Sequence, residues 1–280
     1  MNTMKLKSML ESFFLEDIGN GDISSQALFQ PNKEGDLHLV AKRAGTFCGE
    51  AVIEIGFSII NPLINCNIHI KDGEFITAGT EIAHISGPII ELLQAERVVL
   101  NLIQRMSGVA TMTANAVKLI EGTEAKICDT RKTTPGLRML EKYAVQCGGG
   151  YNHRFGLYDA VMLKDNHIAF AGTITDAVQT VKKRLGHTTK IEVEIETEKQ
   201  LMEAITNKVD IIMFDNCSPE IIKDWLQYVP EGIITEASGG IQIEQLHDYA
   251  TSGIDYISLG YLTHSVKALD ISATVKIRNV

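Results

Sequence analysis

Two rhythms of hydrophobic and polar positions divide this chain. Met4, Leu6, Met9, Leu10, Phe13 and Phe14 recur at helical spacing and predict a helix over residues 4–15. A turn cluster follows at Asp17-Ile-Gly-Asn-Gly-Asp22, then a strand at Leu37–Ala41. Turn glycines in Lys71–Thr80 frame another short strand, and Glu81–Ile85 reads as one more. Ile89, Leu92, Leu93, Leu100 and Ile103 then mark a long helix over 89–106, with Pro88 at its start. Short strands punctuated by glycine suggest a small sandwich.

The second rhythm is a repeat. Strand-like apolar runs fall at Ala125–Cys128, Ala160–Leu163, Ile191–Ile195, Asp210–Phe214, Ile233–Ala237 and Tyr256–Leu259. Helical patterns lie between them. Thr173–Leu185 carries one apolar stripe, Thr197-Glu-Lys-Gln200 has the form of a capping box, and Ser218-Pro219 opens another helix. Alternating β and α units at this spacing imply a parallel sheet with right-handed crossovers. Six such units with helices outside predict an α/β barrel with fewer strands than eight. The sequence thus divides into residues 1–110 and residues 111–267, with the stretch from about 268 to 280 a candidate to return to the first domain.

Composition narrows the functional classes. Of 280 residues 45% are hydrophobic, and the net charge of −9 argues against a dedicated nucleic-acid binder. No apolar run is long enough for a membrane span, and the N-terminal residues lack the form of a secretory signal. Five cysteines at scattered positions, with no C-x-x-C, read as reduced packing residues and point to the cytoplasm.

Chemistry concentrates at the strand ends, where barrels of this type keep it. Between Arg131 and His167 six Lys/Arg face three acids, a basic cluster in an acidic chain, suited to a polyanionic substrate. Ser238-Gly-Gly240 and Gly260 are tight turns after strands, where backbone N–H groups can approach a phosphate. Glu192, Glu194 and Glu196 alternate with apolar neighbours and so share one strand face. Glu192 reads as structural, with Lys126 one possible partner, and Glu194 as functional. Asp215 adds a second rim carboxylate. No His/Asp/Glu motif has the spacing of a protein-only metal site, but Glu194 and Asp215 could share Mg²⁺ with substrate oxygens. Three readings remain open at this point: transfer to or from a phosphorylated sugar, a Schiff-base lyase using Lys164, or a non-catalytic binder of a phosphorylated metabolite. Asp165 beside Lys164 disfavours the low-pKa lysine that the lyase needs.

Several stretches resemble the quinolinate phosphoribosyltransferase family. They are Glu16–Asp22, Glu96–Gly108, Asp129–Arg138, Glu141–Val145, Gly148–Leu157, Lys164–His167, Ser238–Gly240 and Leu259-Gly260, in order along nearly the whole chain. Ser24-Ser25 stands where threonines are common in the family, and Tyr261 stands where a small residue is expected and could crowd the phosphate turn. The resemblance implies an α/β sandwich followed by an open, incomplete (β/α) barrel. It implies transfer of the phosphoribosyl group of phosphoribosyl pyrophosphate to quinolinate, with Mg²⁺, releasing pyrophosphate and CO₂ and leaving nicotinate mononucleotide. By resemblance, Thr130, Arg131, His153, Arg154 and Lys164 hold quinolinate, and Arg105 joins them from a neighbouring subunit of a homodimer or larger assembly. Lys132, Glu194, Asp215, Ser238, Gly239, Gly240 and Gly260 face the phosphoribosyl half, and Lys164, Glu194 and Asp215 form the catalytic group.

Overall fold

The computed structural model describes residues 1–31 and 33–277. The chain forms two units. One gathers Met1–Ala114, Met139–Gly149 and the chain from Ser265 onward; the other holds Asn115–Arg138 and Gly150–His264.

The first unit contains helices Thr3–Ile18 (α1), Ile23–Leu28 (α2) and Glu50–Ile60 (α3) and most of Ile89–Leu119 (α4). Its strands are Glu34–Ala41 (β1), Gly45–Thr46 (β2), Asn65–Ile68 (β3), Phe75–Ile76 (β4) and Glu81–Pro88 (β5). The α1 helix starts where the Asn2 side chain accepts the Lys5 N–H at 3.0 Å, and it buries Leu6, Leu10 and Phe14 on one stripe. In β1 the residues alternate: Leu37, Leu39 and Ala41 are fully buried, while Asp36, His38 and Val40 are half-buried. The strand pairs antiparallel with β5, and on its other edge with Ile271–Ile277, the last strand among the described residues. That last strand therefore completes the first sheet. The short strands β2 and β4 pair separately.

The long helix runs to Leu119, well past the expected stop at 106. Nothing breaks it: Thr111 and Thr113 satisfy their hydroxyls on the carbonyls of Ser107 (2.6 Å) and Val109 (2.8 Å), and Gly108 lets the Lys267 backbone pass where a Cβ would meet it at 2.4 Å. Residues 139–149, assigned by the sequence to the second domain, fold with the first unit. They form most of α5, Arg138–Cys147, an amphipathic helix that buries Met139, Leu140, Ala144 and Val145. Its Glu141 receives the Arg105 guanidinium of α4 at 2.6 and 2.8 Å.

The second unit is a sheet of six parallel strands: Lys126–Cys128 (β6), Val161–Leu163 (β7), Ile191–Ile195 (β8), Ile211–Asp215 (β9), Ile234–Ser238 (β10) and Tyr256–Ser258 (β11). The order is β6-β11-β10-β9-β8-β7. Helices Asp165–Ala171 (α6), Ile174–Arg184 (α7), Glu198–Thr206 (α8), Pro219–Leu226 (α9), Leu246–Thr251 (α10) and Tyr261–His264 (α11) connect the strands, and the returning strand Ile271–Ile277 is β12. Among the described residues β6 and β7 do not pair, so the barrel is open. Tyr151 bridges to Cys128 on the free edge of β6 instead.

Candidate active site

The carboxyl ends of the six strands surround one cavity of about 660 Å³ within the second unit. Its cationic wall comes from three loops. Thr130, Arg131 and Lys132 follow β6, His153 and Arg154 follow the Tyr151 bridge, and Lys164 ends β7 as the N-cap of α6. The middle loop is held from inside. Asp129, fully buried at the end of β6, accepts the Asn152 side-chain amide at 2.7 Å and the His153 N–H at 2.8 Å. The Arg154 guanidinium donates to the Ala160 carbonyl at 2.9 Å, and Arg138 donates to that of Phe155, also at 2.9 Å. The Nε atoms of Arg131 and Arg154 are buried and have no acceptor among the described residues. Burial first, and the neighbouring Arg131 charge second, lower the proton affinity of Arg154. Two neighbouring guanidinium groups with buried, unmatched Nε donors favour an anion beside them.

The anionic wall rises in steps along the sheet. Glu192 in β8 is 1% exposed and accepts His153 Nε2 at 2.9 Å. Glu194, two residues on and 13% exposed, is paired with the Lys164 ammonium. Burial raises the Glu194 carboxyl above its usual range, and the lysine beside it pulls it back down. Deeper in, Glu236 on β10 accepts the Ser258 hydroxyl and lies 3.7 Å from His153 Nε2. Its pKa is pushed up to about 7, chiefly by burial and then by the Glu192 charge. The His153, Glu192 and Glu236 ligand atoms all lie within 4.8 Å of one another. His153 donates into this group, which makes it a hydrogen-bonded polar cluster at the cavity floor.

Ser238, Gly239 and Gly240 close the far side together with Asp215 and Asn216. Gly239 has φ +97°, and a Cβ there would stand 2.6 Å from the Asn216 amide nitrogen. Only glycine lets the turns after β9 and β10 meet in this way, joined by the bond from Asn216 N–H to the Ser238 carbonyl at 2.9 Å. A 3₁₀ turn, Ile243–Gln245, precedes the six-residue α10. The phosphate-binding character expected here therefore rests on the backbone of the turn more than on a helix dipole.

Eleven of the expected residues line this cavity: Thr130, Arg131, Lys132, His153, Arg154, Lys164, Glu194, Asp215, Ser238, Gly239 and Gly240. Gly260 sits behind it, where a Cβ would meet the Lys132 side chain at 2.9 Å, so its smallness gives Lys132 room. Arg105 lies in the first unit, on Glu141. Lys126 does not reach Glu192; its ammonium lies over the rings of Tyr151 and Tyr256 at 5.5 and 5.4 Å. Tyr261 is not a lining residue; its hydroxyl is buried, which raises it to about 12. The sequence reading missed Glu236 and Ser258. Strand alternation puts Glu236 on one face with Ser238, but its burial among other carboxylates comes from neighbouring strands.

Comparison with known proteins places this geometry. The N-terminal domain model of quinolinate phosphoribosyl transferase matches residues 22–107, and the C-terminal domain model matches residues 109–274. A probable nicotinate-nucleotide pyrophosphorylase (carboxylating) of Bacillus subtilis is 54% identical over 279 residues, covering 100% of this chain and 96% of that protein. A protein of the same name from Synechocystis is 40% identical, covering 96% of this chain and 92% of that protein. The crystal structure of NadC from Streptococcus pyogenes superposes with a TM-score of 0.96 at 38% identity, over 100% of this chain and 99% of that one. The parallel sheet with its polyanion cavity belongs to a phosphoribosyl-transferring enzyme. The chain is a member of the quinolinate phosphoribosyl transferase family.

Proposed function

We infer that this enzyme transfers the phosphoribosyl group of phosphoribosyl pyrophosphate to quinolinate, with loss of CO₂, to give nicotinate mononucleotide and pyrophosphate for NAD biosynthesis. One observation carries the reading. A single cavity has guanidinium and ammonium groups on one wall, with two buried Nε atoms lacking acceptors, and carboxylates on the other. The cationic wall suits the two carboxylates of a pyridine dicarboxylate, and the Ser238–Gly240 turn with Lys132 suits the phosphates.

Positioning and electrostatics do most of the work. Arg131, Arg154 and Lys164 hold the dicarboxylate so that its ring nitrogen meets the anomeric carbon of the sugar. The new C–N bond forms as the C–O bond to pyrophosphate breaks. Glu194 and Asp215 face the positive charge that builds on the sugar. The ring nitrogen becomes quaternary, and its positive charge stabilises the electron pair left on the adjacent ring carbon when the carboxylate departs as CO₂. A proton then closes the ring position. Purified protein with quinolinate, phosphoribosyl pyrophosphate and Mg²⁺ tests this directly, scored for CO₂ and nicotinate mononucleotide. Equal turnover of nicotinate, which has one carboxylate, would overturn the two-carboxylate clamp.

Mg²⁺ is the proposed cofactor. The Glu194 and Asp215 carboxylates are hard oxygen donors of the kind it takes, completed by substrate oxygens and water. When bound, it neutralises charge on the departing pyrophosphate. Chelator treatment is expected to abolish turnover and weaken phosphoribosyl pyrophosphate binding in calorimetry, with both restored by Mg²⁺.

A homodimer with shared sites is also proposed, each subunit lending Arg105 to its partner's cavity. Arg105→Ala and Lys164→Ala proteins are then each nearly inactive. Co-refolded together, they recover about a quarter of wild-type activity, since half the dimers are mixed and each has one intact site. No recovery would place Arg105 in its own chain's site. The expected compartment is the cytoplasm, which agrees with five free thiols. No helix among the described residues is long and apolar enough to cross a membrane.

A further inference from the structure

The first unit holds a cluster that the transfer reaction does not use. Cys48 lies fully buried in the turn before α3, and Cys147 ends α5 half-buried. With Asp72 they bring two sulfurs and a carboxylate within 4.8 Å of one another. The Asp72 carboxylate is fixed by three donors: the N–H groups of Gly49 (2.6 Å) and Glu50 (3.0 Å) on one oxygen, and the Tyr143 hydroxyl (2.7 Å) on the other. A carboxylate has about four lone-pair positions, so one remains. Its neighbour is a thiol. The Cys48 S–H faces the Cys147 sulfur, while the one Tyr143 proton is spent on Asp72. The Cys48 donor favours a thiolate at Cys147, whose thiol lies below its usual range although burial and Asp72 oppose the shift. Burial pushes the Cys48 thiol well up, so it keeps its proton. The pair is thus asymmetric: a reachable, hydrogen-bonded sulfur, and a buried protonated one beside a proton acceptor.

We propose that Cys48 and Cys147 form a reversible disulfide on exposure to a hydroperoxide, with Cys147 attacking and Cys48 closing the bridge. The Cys147 thiolate attacks one peroxide oxygen. An S–O bond forms, the O–O bond breaks, and the hydroxide released takes a proton to become water. Cys48 then passes its proton to Asp72 and attacks the Cys147 sulfur. The S–S bond forms, the S–O bond breaks, and the second hydroxide leaves as water with that proton. Two thiols are oxidised to one disulfide, and one hydroperoxide is reduced. Asp72 relays that proton and ends the step charged as it began, held in place by its three donors.

The test uses full-length, reduced, chelator-treated protein and equimolar hydrogen peroxide. Two of the five thiols are expected to disappear together. A peptide map should join the Cys48 and Cys147 peptides, and a dithiol reductant should reverse the change. Cys66, half-buried and raised to about 11 by burial and Glu54, should react last. In Cys48→Ser protein the Cys147 sulfenic acid should persist long enough to be trapped by a carbon nucleophile such as dimedone. In Cys147→Ser protein Cys48 should stay reduced. A bridge between other cysteines, or thiols oxidised one by one without a bridge, would overturn the proposal. So would zinc retained on the pair that shields both thiols from peroxide. The wild-type peptide map decides the matter even where a variant fails to fold.

Discussion

Leu37-His-Leu39 in β1 and Ile191-Glu-Val-Glu-Ile195 in β8 carry the same alternation of apolar and polar residues, and the two strands use it in opposite ways. In β1 the polar face is the wetter one. His38 stacks on His84 with ring centroids 4.7 Å apart, and His38 and His69 share Glu81, whose side chain is 43% exposed. In β8 helices cover one face, and the polar positions lie on the cavity side: Glu194 lines the cavity, and Glu192, 1% exposed, bonds the lining residue His153. Period-2 patterning therefore names a face and leaves open what that face meets. Burial raises Glu194 and Glu236 on the cavity side, while on the wetter face the neighbouring histidines lower Glu81.

The largest test of this contrast is on activity. Lys164→Ala and Arg131→Ala each remove a charged donor from the cavity wall. Each should cost about 2–5 kcal/mol of substrate interaction, ~30-fold to several-thousand-fold in kcat/KM. The melting temperature of the free protein should change little: Arg131 crowds Arg154, and the Lys164 side chain that pairs with Glu194 is 42% exposed. A large drop in melting temperature, with normal turnover by the protein that remains folded, would make them structural.

Next in size is a pH effect at the cavity floor. Glu236 holds its proton up to about pH 7 when folded, against 4.5 for an ordinary glutamate. Between those values the folded state binds more protons than the unfolded state, so this group's contribution to stability falls as pH rises. Glu236→Gln keeps the shape and removes the titration. The stability difference between variant and wild type should therefore shift in the variant's favour by up to about 3 kcal/mol from pH 4.5 to above 7. A flat difference in urea unfolding across that range would show that Glu236 is not held protonated.

The smallest effect belongs to the wetter face. Hydrogen bonding by His38, with the charges of His38 and His69, lowers the Glu81 carboxyl. A lowered folded pKa contributes stability above the unfolded value and loses it as pH falls through the folded value. At this exposure Glu81→Gln should cost ~0.5 kcal/mol or less at neutral pH, read as a small fall in melting temperature that vanishes in acid. An effect as large as that of Glu236 would break the contrast between the two faces.

Local pattern made the parallel strands legible. The run Ile191–Ile195 is apolar on alternate positions and ends in a capping box, and β8 has those limits. It also made the basic loops legible, because six cations in one short stretch need a reason. Non-local contacts were harder to read. The partner of Glu192 is His153, delivered by a loop that Asp129 pins in place, and no spacing rule connects those positions. The extension of α4 depended on threonines turning back onto their own helix, and the placement of α5 on an Arg105–Glu141 pair. The importance of Glu236 came from its burial among like charges, which one strand's sequence does not reveal.

The return of β12 to β1 has a consequence for how the chain is made. Every backbone pairing along one edge of β1, from Gly35 to Ala41, is supplied by residues 271–277. The whole stretch Gly150–His264 of the second unit lies between those partners in the chain. A ribosome delivers β1 before the second unit and its neighbour after it. The later unit is therefore complete in sequence while the earlier one still carries an open strand edge, available to any extended segment nearby. In this protein the order of synthesis and the order of completion run in opposite directions, and the nascent chain is most exposed to wrong partners at its oldest sheet.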